Sequence, residues 1–262
     1  MWLLEELKVP YELEIYHRDK QTMLAPPELE EIHPLGKSPV ITVTPAGGGT
    51  PIVLAESGHM AQYLTEHLPE GERLAPKRWK EGMEGQVGGE TESWLRYQYY
   101  LHYCEGSLMP ILVMSLVIGS MAPGRNVENK KNVLNTFAGL KSTDVPFFVR
   151  PITSRVADRI FSMCIYPNAR KHMALLEEQL ATSPGNGRYL CGDHLTTADI
   201  LMSFPWIAAK GRLNDIGPWK HGDWAKEFPR LGAYTDMLEA EDGYKRSVAV
   251  VEKIDGKFEV SP

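Results

Sequence analysis

The sequence is short of cysteine, of clustered basic charge and of long apolar runs, and each shortage removes a class of protein. Three cysteines among 262 residues, Cys104, Cys164 and Cys191, are odd in number and far apart. That pattern gives neither a disulfide framework nor a metal-ligand spacing. Lys and Arg number 28 against 34 Asp and Glu, a formal charge of -6, and no basic stripe is present. Neutralising a phosphate backbone needs such a stripe, so nucleic acid is not an expected partner. The most apolar stretch, Leu108 to Ile118, is interrupted by Pro110 and Ser115 and falls short of the ~20 residues that span a bilayer. A buried helix is expected there, and no transmembrane segment. The opening Met1-Trp2-Leu3-Leu4-Glu5-Glu6 carries acids where a secretory signal carries a basic start. The expected location is the reducing cytoplasm.

Several signatures of catalysis are missing too. Gly36-Lys37-Ser38 has the tail of a phosphate-binding loop, but Glu31 stands where the loop needs its first glycine, and Pro39 blocks the helix that should follow. The eight histidines form no i, i+4 helical pair with a carboxylate, which argues against a zinc hydrolase. No Gly-x-Ser-x-Gly elbow occurs, and Cys104 has no polar base at an obvious spacing.

What is present divides the chain in two. Residues 1–75 read as short alternating elements, residues 76–89 as a polar, glycine-rich linker, and residues 90–262 as long helices. In the first part, Trp2 to Lys8 has a helical pattern that stops at Pro10. Tyr11, Leu13 and Ile15 alternate with glutamates as in a half-buried strand, and Pro26-Pro27-Glu28-Leu29-Glu30 reads as a helix entry. Pro39 to Val43 and Pro51 to Leu54 flank Gly47-Gly48-Gly49 as a hairpin, followed by a helix from Ser57 to His67. In the second part, helices are expected over 91–109, 111–118, 151–166, 167–181, 197–210 and 229–241. Thr196 and Asp199 have the spacing of a capping box, with Leu195 and Ile200 as its hydrophobic staple, a structural feature rather than a catalytic one.

One constellation has a chemical reading. Ser57 and its neighbours open a helix, whose unpaired amides and positive dipole end suit a carboxylate, while Glu56 suits an adjacent ammonium. Together they fit an α-amino acid head. Ser38-Pro39 precedes a strand, and a cis bond there exposes the Val40 backbone for pairing with an extended peptide. Lys37 and His33 are candidates for a second carboxylate at the peptide's other end.

Trp2 to Leu7, Val9-Pro10-Tyr11-Glu12, His33-Pro34-Leu35-Gly36-Lys37-Ser38-Pro39-Val40 and Ala55-Glu56-Ser57 together resemble the glutathione-binding half of cytosolic glutathione S-transferases. Arg96 to Pro110 resembles the first helix of the helical half in a fungal and yeast subgroup, and Gly192-Asp193 with Leu195 to Ile200 is similar to the family's capping-box helix. The resemblance implies a thioredoxin-like α/β domain, a helical bundle, and a homodimer that conjugates glutathione to a small electrophilic substrate. Detoxification and secondary metabolism are the roles it suggests. Glutathione is then a co-substrate, and no cofactor is implied. By position Pro39 is the cis proline and Val40 the backbone partner of the cysteine. Glu56 and Ser57 take the γ-glutamyl end, Lys37 the glycine end, and Ser38 and His33 line the site. The electrophile is expected against the helix bearing Tyr103, Glu105 and Ser107.

Family members begin with a strand and a loop bearing the Ser, Tyr or Cys that activates the thiol, and that segment is not in this sequence. The resemblance therefore implies either a start upstream of Met1, the preferred expectation, or a degenerate member with a gap beside its sheet. It leaves the thiol-activating residue unassigned. A non-catalytic assembly module of the same fold is the alternative. A glutathione-dependent reductase or peroxidase ranks below both, because no cysteine precedes Cys104. The stretch 119–150, with Gly119, Gly124 and Gly139, leaves open whether it orders over the cleft.

Overall fold

A computed structural model of the chain describes residues 1–19, 24–120 and 150–258. The first half holds α1 (Trp2–Leu7), α2 (Glu28–Ile32), the hairpin β1 (Val40–Val43) and β2 (Ile52–Ala55), and α3 (Ser57–His67). The helical half holds α4 (Glu92–Tyr103), α5 (Met109–Ser120), α6 (Arg150–Ile160), α7 (Tyr166–Ala181) and α8 (Thr197–Ala209). It continues through α9 (Leu213–Ile216), α10 (Trp224–Glu227), α11 (Pro229–Ala240) and α12 (Asp242–Asp255). Residues 76–89, between the halves, close on themselves: the Lys80 amide donates to Gly89 O at 2.9 Å and the Thr91 amide to Arg78 O at 2.8 Å. The stretch left open as a cover for the cleft lies, apart from its two ends, outside the described residues.

The two strands pair antiparallel with Val40 opposite Ala55 and Val43 opposite Ile52. The expected strand at Tyr11 to Ile15 does not form. Alternation alone does not make a strand, because its backbone groups need a hydrogen-bonding edge, and among the described residues β1 pairs with β2 alone. Side chains tie the segment down instead. The Tyr11 hydroxyl donates to Glu5 at 2.7 Å, and His17 lies 3.0 Å from Asp255. Beside β1 lies an apolar cavity of about 320 Å³ lined by residues including Trp2, Leu4, Ile41, Met60, Leu201 and Phe204.

Two helix breaks expected at prolines are absent. The Met109 amide bonds back five residues to Cys104 O, and the Tyr166 amide to Phe161 O, so a π turn stands immediately before each of Pro110 and Pro167. A proline ring clashes with the carbonyl four residues back and lacks the N–H that would bond it. Widening the turn by one residue removes that conflict and lets the helix run on. Glu92–Gly119 is therefore one helix of 28 residues, long and apolar enough to cross a membrane by length and composition. Its Tyr97, Tyr100, Leu101, Cys104 and Leu108 are buried in the main core of the protein.

The core of the helical half is built around Tyr100, Met173, Leu176, Met202 and Trp206, all buried. A smaller cluster of Leu3, Leu7, Ala61, Leu64 and Leu74 sits between α1 and α3. The halves meet through buried polar contact as well: the Thr65 and Thr197 hydroxyls lie 2.7 Å apart.

α12 is an element the periodic pattern did not reveal, and it clasps α1. Trp2 meets the edge of Tyr244 with ring centroids 5.6 Å apart, and Arg246 reaches Glu5 at 3.3 Å. Gly243 makes this approach possible, since a Cβ there would lie 1.8 Å from Glu6 Oε1 and 2.7 Å from Trp2 Nε1. Gly243→Ala is expected to destabilise the protein by about 1–3 kcal/mol, as overpacking does. A denaturant midpoint equal to that of the parent would show that α1 and α12 separate freely.

Candidate functional site

The hairpin register assembles the site. Because Val40 stands opposite Ala55, the residues just before β1 and just after β2 meet at one end of the ribbon. Ser38-Pro39 lies there as a cis peptide, and Glu56 and Ser57 follow directly as α3 begins. Glu56 has φ 68° and ψ 116°, a backbone conformation that side chains other than glycine adopt at a cost of roughly 1–3 kcal/mol and that clusters at functional sites. No side chain caps α3, so its first-turn amides stay available to an acceptor.

α3 starts against α4. A Cβ on Gly58 would come within 3.1 Å of Leu101 O, so a side chain there would push the two helices apart by a few tenths of an ångström. This close approach carries the Ser57 hydroxyl to the π turn after α4, where it donates to Glu105 Oε1 at 3.2 Å. Ser57 is half-buried, whereas Glu56 and Glu105 are exposed. Neither glutamate has a cationic partner among the described residues. Glu105 thus joins the residues proposed from sequence for the amino acid head, by a contact spanning 48 positions that no local pattern signals.

The other sequence candidates are distributed as follows. Lys37, Ser38 and Pro39 are exposed at the entry to β1. His33 ends α2, and its Nδ1 accepts the Leu35 amide at 3.3 Å, which engages the ring in a local turn. Tyr103 is buried, with its hydroxyl 2.6 Å from His172 Nδ1 on α7 and its ring stacked on Tyr99 at 5.2 Å. Burial drives the Tyr103 hydroxyl well above its ordinary range and lowers His172. Tyr103 and Ser107 border a groove of about 410 Å³ with Leu95, Gln98, Tyr99 and His102. Of the three residues proposed for the electrophile, Glu105 is the one that hydrogen-bonds to Ser57, at the start of α3 beside the hairpin end.

Thr196 and Asp199 form the capping box of α8. The Thr196 amide donates to Asp199 Oδ2 at 2.9 Å, and the Asp199 amide to Thr196 Oγ1 at 3.4 Å. Two further donors converge on Asp199 Oδ1: the Leu190 amide at 3.0 Å and the Tyr234 hydroxyl at 2.8 Å. Full burial raises the Asp199 carboxyl, and these hydrogen bonds oppose the shift. Burial likewise pushes the Cys104 and Cys191 thiols up, so neither is disposed to act as a thiolate nucleophile.

Two family models match the chain. The glutathione S-transferase N-terminal domain matches residues 1–67 and the glutathione S-transferase C-terminal domain matches residues 165–236. Glutathione S-transferase 1 of Saccharomyces cerevisiae is 28% identical over 247 residues, which covers 94% of this chain and 87% of that protein. Glutathione S-transferase 3 of Schizosaccharomyces pombe is 27% identical, covering 84% of this chain and 73% of that protein. A solved glutathione transferase homolog from Lodderomyces elongisporus, with two GSH per subunit, superposes with TM-score 0.60 at 19% identity, over 95% of this chain and 91% of that one.

Proposed function

Because this chain belongs to the glutathione S-transferase superfamily, we propose that it joins the thiol of glutathione to a small electrophilic substrate, with glutathione as co-substrate and no cofactor. The observation that carries the reading is the hairpin register, which sets the cis Ser38-Pro39 turn and Val40 beside Glu56, Ser57 and the open amino terminus of α3. The two yeast relatives bearing the transferase name support it, and they favour a fungal type of member. We further read the protein as a cytoplasmic homodimer with a role in detoxification or secondary metabolism.

In this reading the α3 amides and the Ser57 hydroxyl hold the γ-glutamyl carboxylate, which the helix dipole favours. Glu56 accepts from the α-ammonium. The main chain of Val40 pairs with that of the cysteine, as an added strand does, and Lys37 faces the glycine carboxylate, with His33 nearby in sequence. The thiol then lies at the end of the hairpin. A free thiol has a pKa of about 8.5, so loss of its proton precedes attack. The sulfur forms a bond to the electrophilic carbon as the leaving group departs with its electron pair.

Ser57→Ala tests the assignment. It is expected to weaken glutathione binding by about 1–3 kcal/mol, the range for a hydrogen bond to a charged group, with turnover of a model aryl halide at low glutathione falling in step. Equal turnover by the variant and its parent would refute the placement of the γ-glutamyl end. Background turnover by the parent, together with a stable co-purifying partner, would favour the non-catalytic assembly module instead.

A further inference from the structure

We propose that the apolar cavity beside β1 receives the electrophile, and that its lining selects an uncharged substrate with an apolar body of about two rings and at most one hydrogen-bond acceptor. This rests on the glutathione reading above and moves the electrophile away from the α4 groove that Tyr103 and Ser107 border. Three observations carry it. The cavity is continuous with the candidate glutathione residues, since Pro39 and Ser57 line it together with Trp2 of α1, Ile41 of β1 and Phe204 of α8. Its volume of about 320 Å³ is roughly twice that of an apolar protein cavity, ~150 Å³, that accommodates benzene. No charged side chain is among the described residues that line it.

The side-chain donors of the lining are nearly all spent on the protein itself. Ser203 donates to Ile200 O at 2.7 Å, and Ser247 donates to Tyr244 O at 2.7 Å. The Thr65 hydroxyl donates its one hydrogen to Ala61 O at 2.8 Å, so the Thr197 hydrogen goes to Thr65, 2.7 Å away. Trp2 Nε1 donates to Glu6 at 3.2 Å. Ser57 donates to Glu105 or, with glutathione bound, to its carboxylate. The Tyr244 hydroxyl is the one lining side-chain donor with no partner among the described residues. A second acceptor on a ligand would therefore lose its water and gain no donor. An apolar ring has no such demand, and it fills space that offers water too few polar partners. Phe204, which the protein leaves 48% exposed, gives one of the ligand's rings an aromatic surface to pack on.

The test reaction is displacement of chloride from benzyl chlorides. The glutathione sulfur bonds to the benzylic carbon, the carbon–chlorine bond breaks with its electron pair leaving on chloride, and the thiol proton passes to solvent. On the full chain, kcat/KM is measured relative to the uncatalysed rate for benzyl chloride and for its 4-phenyl and 4-carboxylate derivatives, and glutathione affinity is measured by calorimetry. The 4-phenyl compound is expected to exceed the other two by about tenfold or more, the scale on which an apolar pocket discriminates. Phe204→Asp, which puts a charge in the lining, is expected to remove most of that preference while glutathione affinity stays within about twofold. Phe204→Ala is expected to reduce the preference in the same direction, and it serves if the aspartate variant does not fold. Equal relative rates for the three substrates, or a preference that the Phe204 variants leave intact, would overturn the proposal while bound glutathione keeps the transferase reading standing. A parent that does not bind glutathione would remove that reading, and the electrophile's place in the cavity with it.

Discussion

Asp199→Ala is expected to lower the unfolding free energy by about 3–5 kcal/mol, because several buried neutral donors lose their acceptor together. Its carboxylate is fully buried and accepts from the Thr196 amide and hydroxyl, the Leu190 amide and the Tyr234 hydroxyl. Alanine would leave those donors inside the core with neither a partner nor water, at about 1–3 kcal/mol for each that finds no substitute. The effect exceeds that of an ordinary helix cap, about 1 kcal/mol, because Asp199 joins three elements: the turn at Leu190, the start of α8, and α11 through Tyr234. Asp199→Asn keeps one acceptor oxygen and should fall between alanine and the parent. Equilibrium urea unfolding measures all three proteins. A loss near 1 kcal/mol for the alanine variant would show that the residue acts as a local cap only.

Trp206 gives the second large effect and a contrast within one position. It is 1% exposed and lies on α8 in the main core. Trp206→Ala should cost about 3–5 kcal/mol through lost contacts and the cavity left behind. Its indole nitrogen is the buried side-chain polar atom without a hydrogen-bond partner among the described residues. Phenylalanine removes that N–H while keeping a ring in the site, so Trp206→Phe should cost much less than alanine, since no hydrogen bond is lost with the nitrogen. Equal destabilisation by the two substitutions would mean that the nitrogen does form a hydrogen bond in solution, or that a smaller ring does not fill the site.

The segments that make up the candidate site were legible in the sequence as local patterns. Glu56-Ser57 stood at a helix start because β-rich residues gave way to a helical pattern there, and Ser38-Pro39-Val40 preceded the first of two β-rich runs. Both are local signals, and the hairpin between them needs only a turn. His33 shows where this runs out, because its residue type suggested a ligand contact while its ring nitrogen is taken by the Leu35 amide two residues away. Tyr103 and Glu105 share a helical stretch and were grouped on that ground. One bonds to α7 and the other to α3, since neighbours two apart on a helix point to different faces.

The sequence by itself determined the elements whose physics is short-range: the helix entry at Pro27, the hairpin, α3, the Thr196 and Asp199 box, and the motifs that mark the family. Tertiary structure decided three things. Tyr11 to Ile15 is not a strand, because a strand exists only against an edge. Glu92–Gly119 runs through Pro110 because a π turn absorbs the clash. Glu105 meets Ser57 because Gly58 lets α3 close onto α4. Each outcome depends on a backbone or side-chain partner, and hydrogen-bond partners distant in sequence leave no trace in the periodicity of either segment.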